Sequence, residues 1–135
     1  LFDCSARPKR RGLIHADLHF GNAVFRDDGT LSAIDFDDCG YGFYAYDLCV
    51  PLLNIEGLVK KHSKLKMATM RESLLKGYTS LKSFDRKDEE MLRLFGVARR
   101  ISTVGWLNSR SDNPRLAKIL PGAVANAVAV IKSLT

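Results

Sequence analysis

The sequence predicts an α+β fold, with short β segments first and a mostly helical body after them. Before about residue 43 the apolar residues come in runs of two to four broken by Gly, Asp and basic residues, and beyond it they recur with helical period. At 135 residues, 46% hydrophobic and 27% charged, the chain is long and apolar enough to bury one core, which excludes disordered and collagen-like classes. No stretch approaches the roughly 18–20 uninterrupted apolar residues of a membrane span, the longest candidate being the short Ala/Val run Ala123–Ile131, so a soluble chain with no membrane partner is expected. The opening segment Leu1–Arg11 puts its charges after a very short apolar start, the reverse of a secretory signal, and the expected address is cytoplasmic. Cys4, Cys39 and Cys49 are odd in number and lack C-x-x-C pairs, so they read as reduced thiols.

Leu13-Ile14 reads as a short strand. Ala23–Arg26 and Leu31–Ile34 around Asp27-Asp28-Gly29-Thr30 read as a hairpin with Asp-Gly at its tip. Helices are expected over 44–58, with Pro51 bending or splitting it, then over 59–80, 86–109 and 114–134, the last kinked by Pro121. Asp85 is placed to cap the third helix, acidic Asp88, Glu89 and Glu90 suit its first turn, and Met91, Leu94, Phe95, Ala98, Ile101 and Val104 form its apolar stripe. Pro114 follows Asp112-Asn113 at a first helical position. Two basic clusters, Arg7/Lys9/Arg10/Arg11 and Lys60/Lys61/Lys64/Lys66, read as solvated surface.

Chemistry concentrates in Leu13-Ile14-His15-Ala16-Asp17-Leu18-His19-Phe20-Gly21-Asn22 and in Ile34-Asp35-Phe36-Asp37-Asp38, where ionisable groups adjoin apolar strands. A two-residue turn at Asp28-Gly29 would pair Val24 with Ala33 and set Asn22 opposite Asp35, close enough for an amide oxygen and a carboxylate to share one Mg²⁺. A register shifted by one residue would undo that inference. The spacing His15-x-Asp17-x-x-x-x-Asn22 followed by a later Asp is the phosphoryl-transfer pattern of protein kinases: a carboxylate accepts a hydroxyl proton, while an amide and a second carboxylate hold the metal on the phosphates.

These residues, with Gly42 and Tyr46-Asp47-Leu48, resemble the aminoglycoside phosphotransferase family, which includes choline and homoserine kinases. The motifs cover about residues 13–50, and the helical remainder is similar in character to that family's C-terminal region. The resemblance implies the mostly helical C-terminal lobe of a protein-kinase-like fold, with a short β-hairpin carrying the catalytic and metal residues. Residues 1–42 would form the catalytic loop and metal hairpin, and 43–135 a helical subdomain. It also implies Asp17 as catalytic base, His15 as a loop-ordering residue, Asn22 and Asp35 as Mg²⁺ and nucleotide ligands, and Asp47 as an anchor of the loop, with His19 in support. Asp37 is placed near the metal or the acceptor, or in a solvated loop with Asp38. ATP is the implied co-substrate, Mg²⁺ the cofactor, and a hydroxyl-bearing molecule the acceptor, which could be a small metabolite or a protein Ser or Thr. Ala16 stands where family members commonly carry Gly, a mild change. Such enzymes also need an N-terminal lobe with a Gly-rich loop and a paired lysine, and no such lobe precedes Leu13. The chain therefore reads as a fragment, inactive or very weak alone, that works with that lobe in cis.

Other classes compete. His15, Asp17 and His19 alternate and would share one face of an extended segment, offering the metal site of a hydrolase. The basic clusters could make a non-catalytic binding module, although nucleic acid is an unlikely ligand without aromatic interleaving. Asp35-x-Asp37 and Gly40-x-Gly42-x-x-Ala45 are weak likenesses to phosphatase and dinucleotide motifs. Tyr41, Phe43, Tyr44 and Trp106 are candidates for an acceptor pocket or for core, with core favoured for Trp106.

Overall fold

The computed structural model describes residues 10–62, 64 and 66–133. Cys4, Arg7 and Lys9 lie outside them. The chain forms two compact units, residues 1–92 and 93–135.

The first unit is built on two antiparallel strand pairs and a long helix. Strand β1 (Arg11–Ile14) pairs with β4 (Gly40–Phe43), and β2 (Ala23–Phe25) pairs with β3 (Leu31–Ala33). Strand β4 was not foreseen, because Gly40-Tyr41-Gly42-Phe43 has the composition of a loop. What makes it a strand is close packing: Gly12 faces Gly42, a Cβ on Gly12 would meet the Tyr44 ring, and one on Gly42 would meet the Ile14 side chain. Gly40–Ala45 is thus a strand running into a helix, not a phosphate-binding turn.

The β2–β3 hairpin differs from expectation in register. Its loop has three residues, Asp27, Asp28 and Gly29, with Arg26 N–H donating to Thr30 O and Gly29 N–H to Arg26 O, both at 2.9 Å. Gly29 takes the left-handed conformation (φ 80°) that such a loop needs, and Asp28 Oδ1 accepts from the Thr30 N–H and hydroxyl. Val24 consequently pairs with Ser32, not Ala33.

Helix α1 (Tyr44–Lys61) passes through Pro51 without splitting. Its Ala45, Leu48, Cys49, Leu52 and Ile55 fall on one apolar stripe and, with Ile14 and Leu92, make the core of this unit. The helix expected over 59–80 is shorter: α1 runs on to Lys61 and α2 spans Met67–Thr79. Helix α3 (Arg86–Asn108) begins in the first unit. Asp85 Oδ1 accepts from the Lys87 and Asp88 amides while Asp88 Oδ2 accepts from the Asp85 amide, a reciprocal cap. Arg10 bridges Asp85 and Asp88, and Arg71 pairs with Glu89 at 2.5 Å, tying β1 and α2 to the start of α3. Arg10 is therefore a paired surface charge, and Arg11 lies 3.8 Å over the Phe43 ring. Because β4 closes on β1 and α1 packs on both, the change of composition near residue 43 is not a packing boundary.

The second unit contains the rest of α3, a short helix α4 (Pro114–Ala117) capped by Asn113, and α5 (Leu120–Lys132) with Pro121 in its first turn. The single helix expected over 114–134 is thus divided. Leu107 and Ala127 are buried here, whereas Ile101 and Trp106 are about half exposed. The stripe read from α3 periodicity is largely open, Leu94 included, and Trp106 is not core; its ring carries Arg110 at 4.5 Å. Pro114–Lys132 passes for a membrane-crossing segment by length and composition alone, but it is divided between α4 and α5 and holds Arg115 and Lys118.

Candidate active site

The loop His15–Asn22 leaves β1 and returns into β2, and two side chains of α1 hold it. Asp47 accepts from the His15 amide at Oδ2 (2.8 Å) and from the Ala16 amide at Oδ1 (2.7 Å). These are charge-assisted bonds, about twice as strong as neutral ones. They fix Ala16 at φ 66°, a conformation that costs a residue with a Cβ about 1–2 kcal/mol and a glycine far less. The exchange of Gly for Ala, mild on paper, thus falls where glycine is favoured.

His15 is buried. Its Nε2–H donates to Ile34 O (2.8 Å), its Nδ1 faces the Asp17 amide at 3.4 Å, and its ring packs on Phe36 with centroids 4.6 Å apart. Both ring nitrogens are engaged with backbone, so His15 is not available as a metal ligand. Among the described residues no three His, Cys, Asp or Glu side chains gather as a metal site. The hydrolase arrangement of His15, Asp17 and His19 does not form.

Asp17 sits in the middle of the loop with its side chain 23% exposed, shielded yet reachable. Its carbonyl accepts from the His19 amide (2.7 Å) and from Asn22 Nδ2 (3.0 Å). His19 Nδ1 accepts from the Gly21 amide (2.9 Å), which leaves the proton on Nε2, 3.7 Å from Asp17 Oδ2. The loop closes through a 3-10 turn, Phe20–Asn22, whose Phe20 amide donates to Asn54 Oδ1 on α1 (2.9 Å). Asn54 escaped the sequence reading; the available signal was an amide between apolar Leu53 and Ile55, seven residues after Asp47.

Asn22 is buried, and its Nδ2–H donates to Asp17 O, which leaves the amide oxygen Oδ1 as the atom able to ligate a cation. Asp35 is exposed, lies just past β3, has φ 62°, and its carboxylate accepts no hydrogen bond among the described residues. The two are not opposed: the Ile34 amide donates to Asn22 O, so Asp35 falls one position beyond that partnership. The shared-cation argument drawn from a two-residue turn therefore fails, because the loop holds one residue more. The left-handed Asp35 also ends the strand alternation on which a face argument depends. As chemistry the pair still suits Mg²⁺, which takes hard oxygens, keeps waters and needs only one or two protein ligands beside phosphate.

Asp37 and Asp38 occupy the centre of an exposed turn in which the Cys39 amide donates to Phe36 O (3.0 Å). Of the aromatic candidates, Tyr44 packs over Gly12 beneath Lys82 (3.5 Å from its ring), and Phe43 carries Arg11. Tyr41 is 71% exposed opposite Leu13 on the outer face of β1–β4.

An α+β chain whose aspartate-bearing loop is tied to a long helix agrees with the helical C-terminal lobe of a kinase-like fold. Residues 3–82 match the family model described as phosphotransferase enzyme family, and the chain belongs to this aminoglycoside phosphotransferase family. It is similar to amicoumacin kinase of Bacillus subtilis (strain 168), 48% identical over 44 residues, which is 33% of this chain and 13% of that kinase. The match thus spans about one eighth of the relative's length. No solved structure matches the chain.

Proposed function

We propose that the chain carries the catalytic loop and metal-ligand region of an ATP-dependent phosphotransferase that moves the γ-phosphoryl group to a hydroxyl. The observation that carries this reading is the loop itself: Asp17 is held between anchors at His15–Ala16 and Phe20 with its carboxylate partly open to solvent. In that role Asp17 accepts the proton of the acceptor hydroxyl as its oxygen attacks the γ-phosphorus and the bond to the bridging oxygen breaks, releasing ADP. Asn22 Oδ1 and the Asp35 carboxylate are the residues that would hold Mg²⁺, whose chemistry is to neutralise the phosphate oxygens. His15 orders the loop from beneath by bonding Ile34 O, and His19 keeps its Nε2–H toward Asp17.

The family match and the similarity to a kinase support phosphoryl transfer. The acceptor is proposed only as a hydroxyl compound. The test is Asp17→Asn in the intact protein, read by phosphoryl transfer and by Mg-ATP titration. Turnover should fall by about 10²–10⁴-fold while Mg-ATP affinity stays within about twofold. Unaltered turnover removes Asp17 from the chemistry.

A further inference from the structure

A 3-10 turn leaves its first amides without partners inside the turn, and each must be satisfied from outside. In Phe20–Asn22 the Gly21 amide goes to His19 Nδ1 and the Asn22 amide to His19 O, both within the loop. The Phe20 amide alone leaves it, donating to Asn54 Oδ1 on α1. Asp47, which holds the other end of the loop, lies on the same helix seven residues earlier. Seven residues are two helical turns, so both groups project from one side of α1 about 10 Å apart along its axis. Asp17 falls between the two anchored stretches, and Asn22 comes two residues after the second.

We propose that Asn54 is a positioning residue of the phosphotransfer site, fixing the C-terminal half of the catalytic loop through the Phe20 amide as Asp47 fixes the N-terminal half. This rests on the roles assigned above to Asp17 and Asn22. With one end held, the loop keeps the conformation of His15 and Ala16 but can pivot at His19. A pivot there moves Asp17 relative to Asn22, whose Nδ2 bonds the Asp17 carbonyl. Displacements of this order near reacting groups cost rate more than binding.

The test uses the intact protein with Mg-ATP and water as acceptor, together with amide hydrogen exchange at Phe20. Asn54→Leu keeps the size and removes the acceptor oxygen, and Asn54→Asp restores it. Expected for Asn54→Leu are Phe20 exchange faster by about tenfold or more, kcat for ATP hydrolysis lower by about tenfold, and KM for ATP within about twofold. Asn54→Asp should recover kcat to within about threefold of wild type. Unchanged Phe20 exchange or unchanged kcat in Asn54→Leu overturns the inference while leaving the phosphotransfer reading intact. So does a loss that Asn54→Asp fails to restore, which marks a merely structural side chain. A wild-type protein that turns over no ATP overturns the phosphotransfer reading, and the role of Asn54 with it.

Discussion

The two units of this chain differ in charge balance. Residues 1–92 hold fourteen basic and fourteen acidic side chains, and residues 93–135 hold seven basic and one acidic, so the whole net charge of +6 falls on the second unit. In the first unit carboxylates are set to particular tasks: Asp47 on the loop amides, Asp85 and Asp88 on Arg10, Glu89 on Arg71. In the second, the one acidic residue, Asp112, lies between helices while apolar side chains such as Ile101, Trp106 and Val128 stand open. The lesson is that the candidate chemistry lies in the unit where carboxylates hold the loop amides and the arginines.

Four experiments break or sharpen that contrast. The largest effect is expected at Asp47. Asp47→Ala removes two charge-assisted bonds from the loop and should destabilise the chain by about 3 kcal/mol in denaturant titration, with Asp47→Asn losing about half of that. Equal midpoints for Asp47→Asn and wild type would show that the charge is not what holds the loop. In the second unit Leu107, 3% exposed, is the counterpart. Leu107→Ala should cost about 2–3 kcal/mol through its cavity, yet leave hydrogen exchange at His15 and Ala16 unchanged below the melting range. Loop amides that lose protection together with Leu107 would erase the distinction between the units.

Ala16→Gly should move stability the other way, by about 1 kcal/mol upward, since φ 66° is relieved and the Asp47 bonds remain. A destabilised Ala16→Gly would mean that the added freedom of the unfolded glycine outweighs the relieved strain. The smallest effect is electrostatic. Arg10 holds the exposed Asp85 carboxyl down from 3.8 to about 2, so this pairing contributes stability above about pH 4 that is lost as pH falls towards 2. Melting temperatures of wild type and Asp85→Asn should differ slightly at pH 7 and converge at pH 2. A gap that persists in acid would assign the effect to the helix cap.

Legibility differed by kind of residue. The loop residues His15, Asp17, His19 and Asn22 stood out because polar groups beside apolar strands are costly without a purpose, whereas Asp47 was legible only through the resemblance to the phosphotransferase family. The Asp85 cap and the Pro114 helix start were readable because capping depends on neighbours within one turn, while the return bond from the Asp85 amide to Asp88 was not read. By the same local logic Asp-Gly announced a hairpin, but whether its loop held two or three residues turned on where the Arg26–Thr30 bonds closed, and that one residue displaced Asp35 from Asn22.

The sequence by itself determined the α+β class, the family and the order of the chemical residues, because period, spacing and capping are short-range. Tertiary structure alone decided that Gly40–Phe43 is a strand, since only Ile14 and Tyr44 closing on the glycines makes it one. It alone brought Asn54 to the end of the loop opposite Asp47, through a bond spanning 34 residues. It also left the Leu94 and Ile101 stripe of α3 open, because helical periodicity records an apolar face and not whether another element covers it.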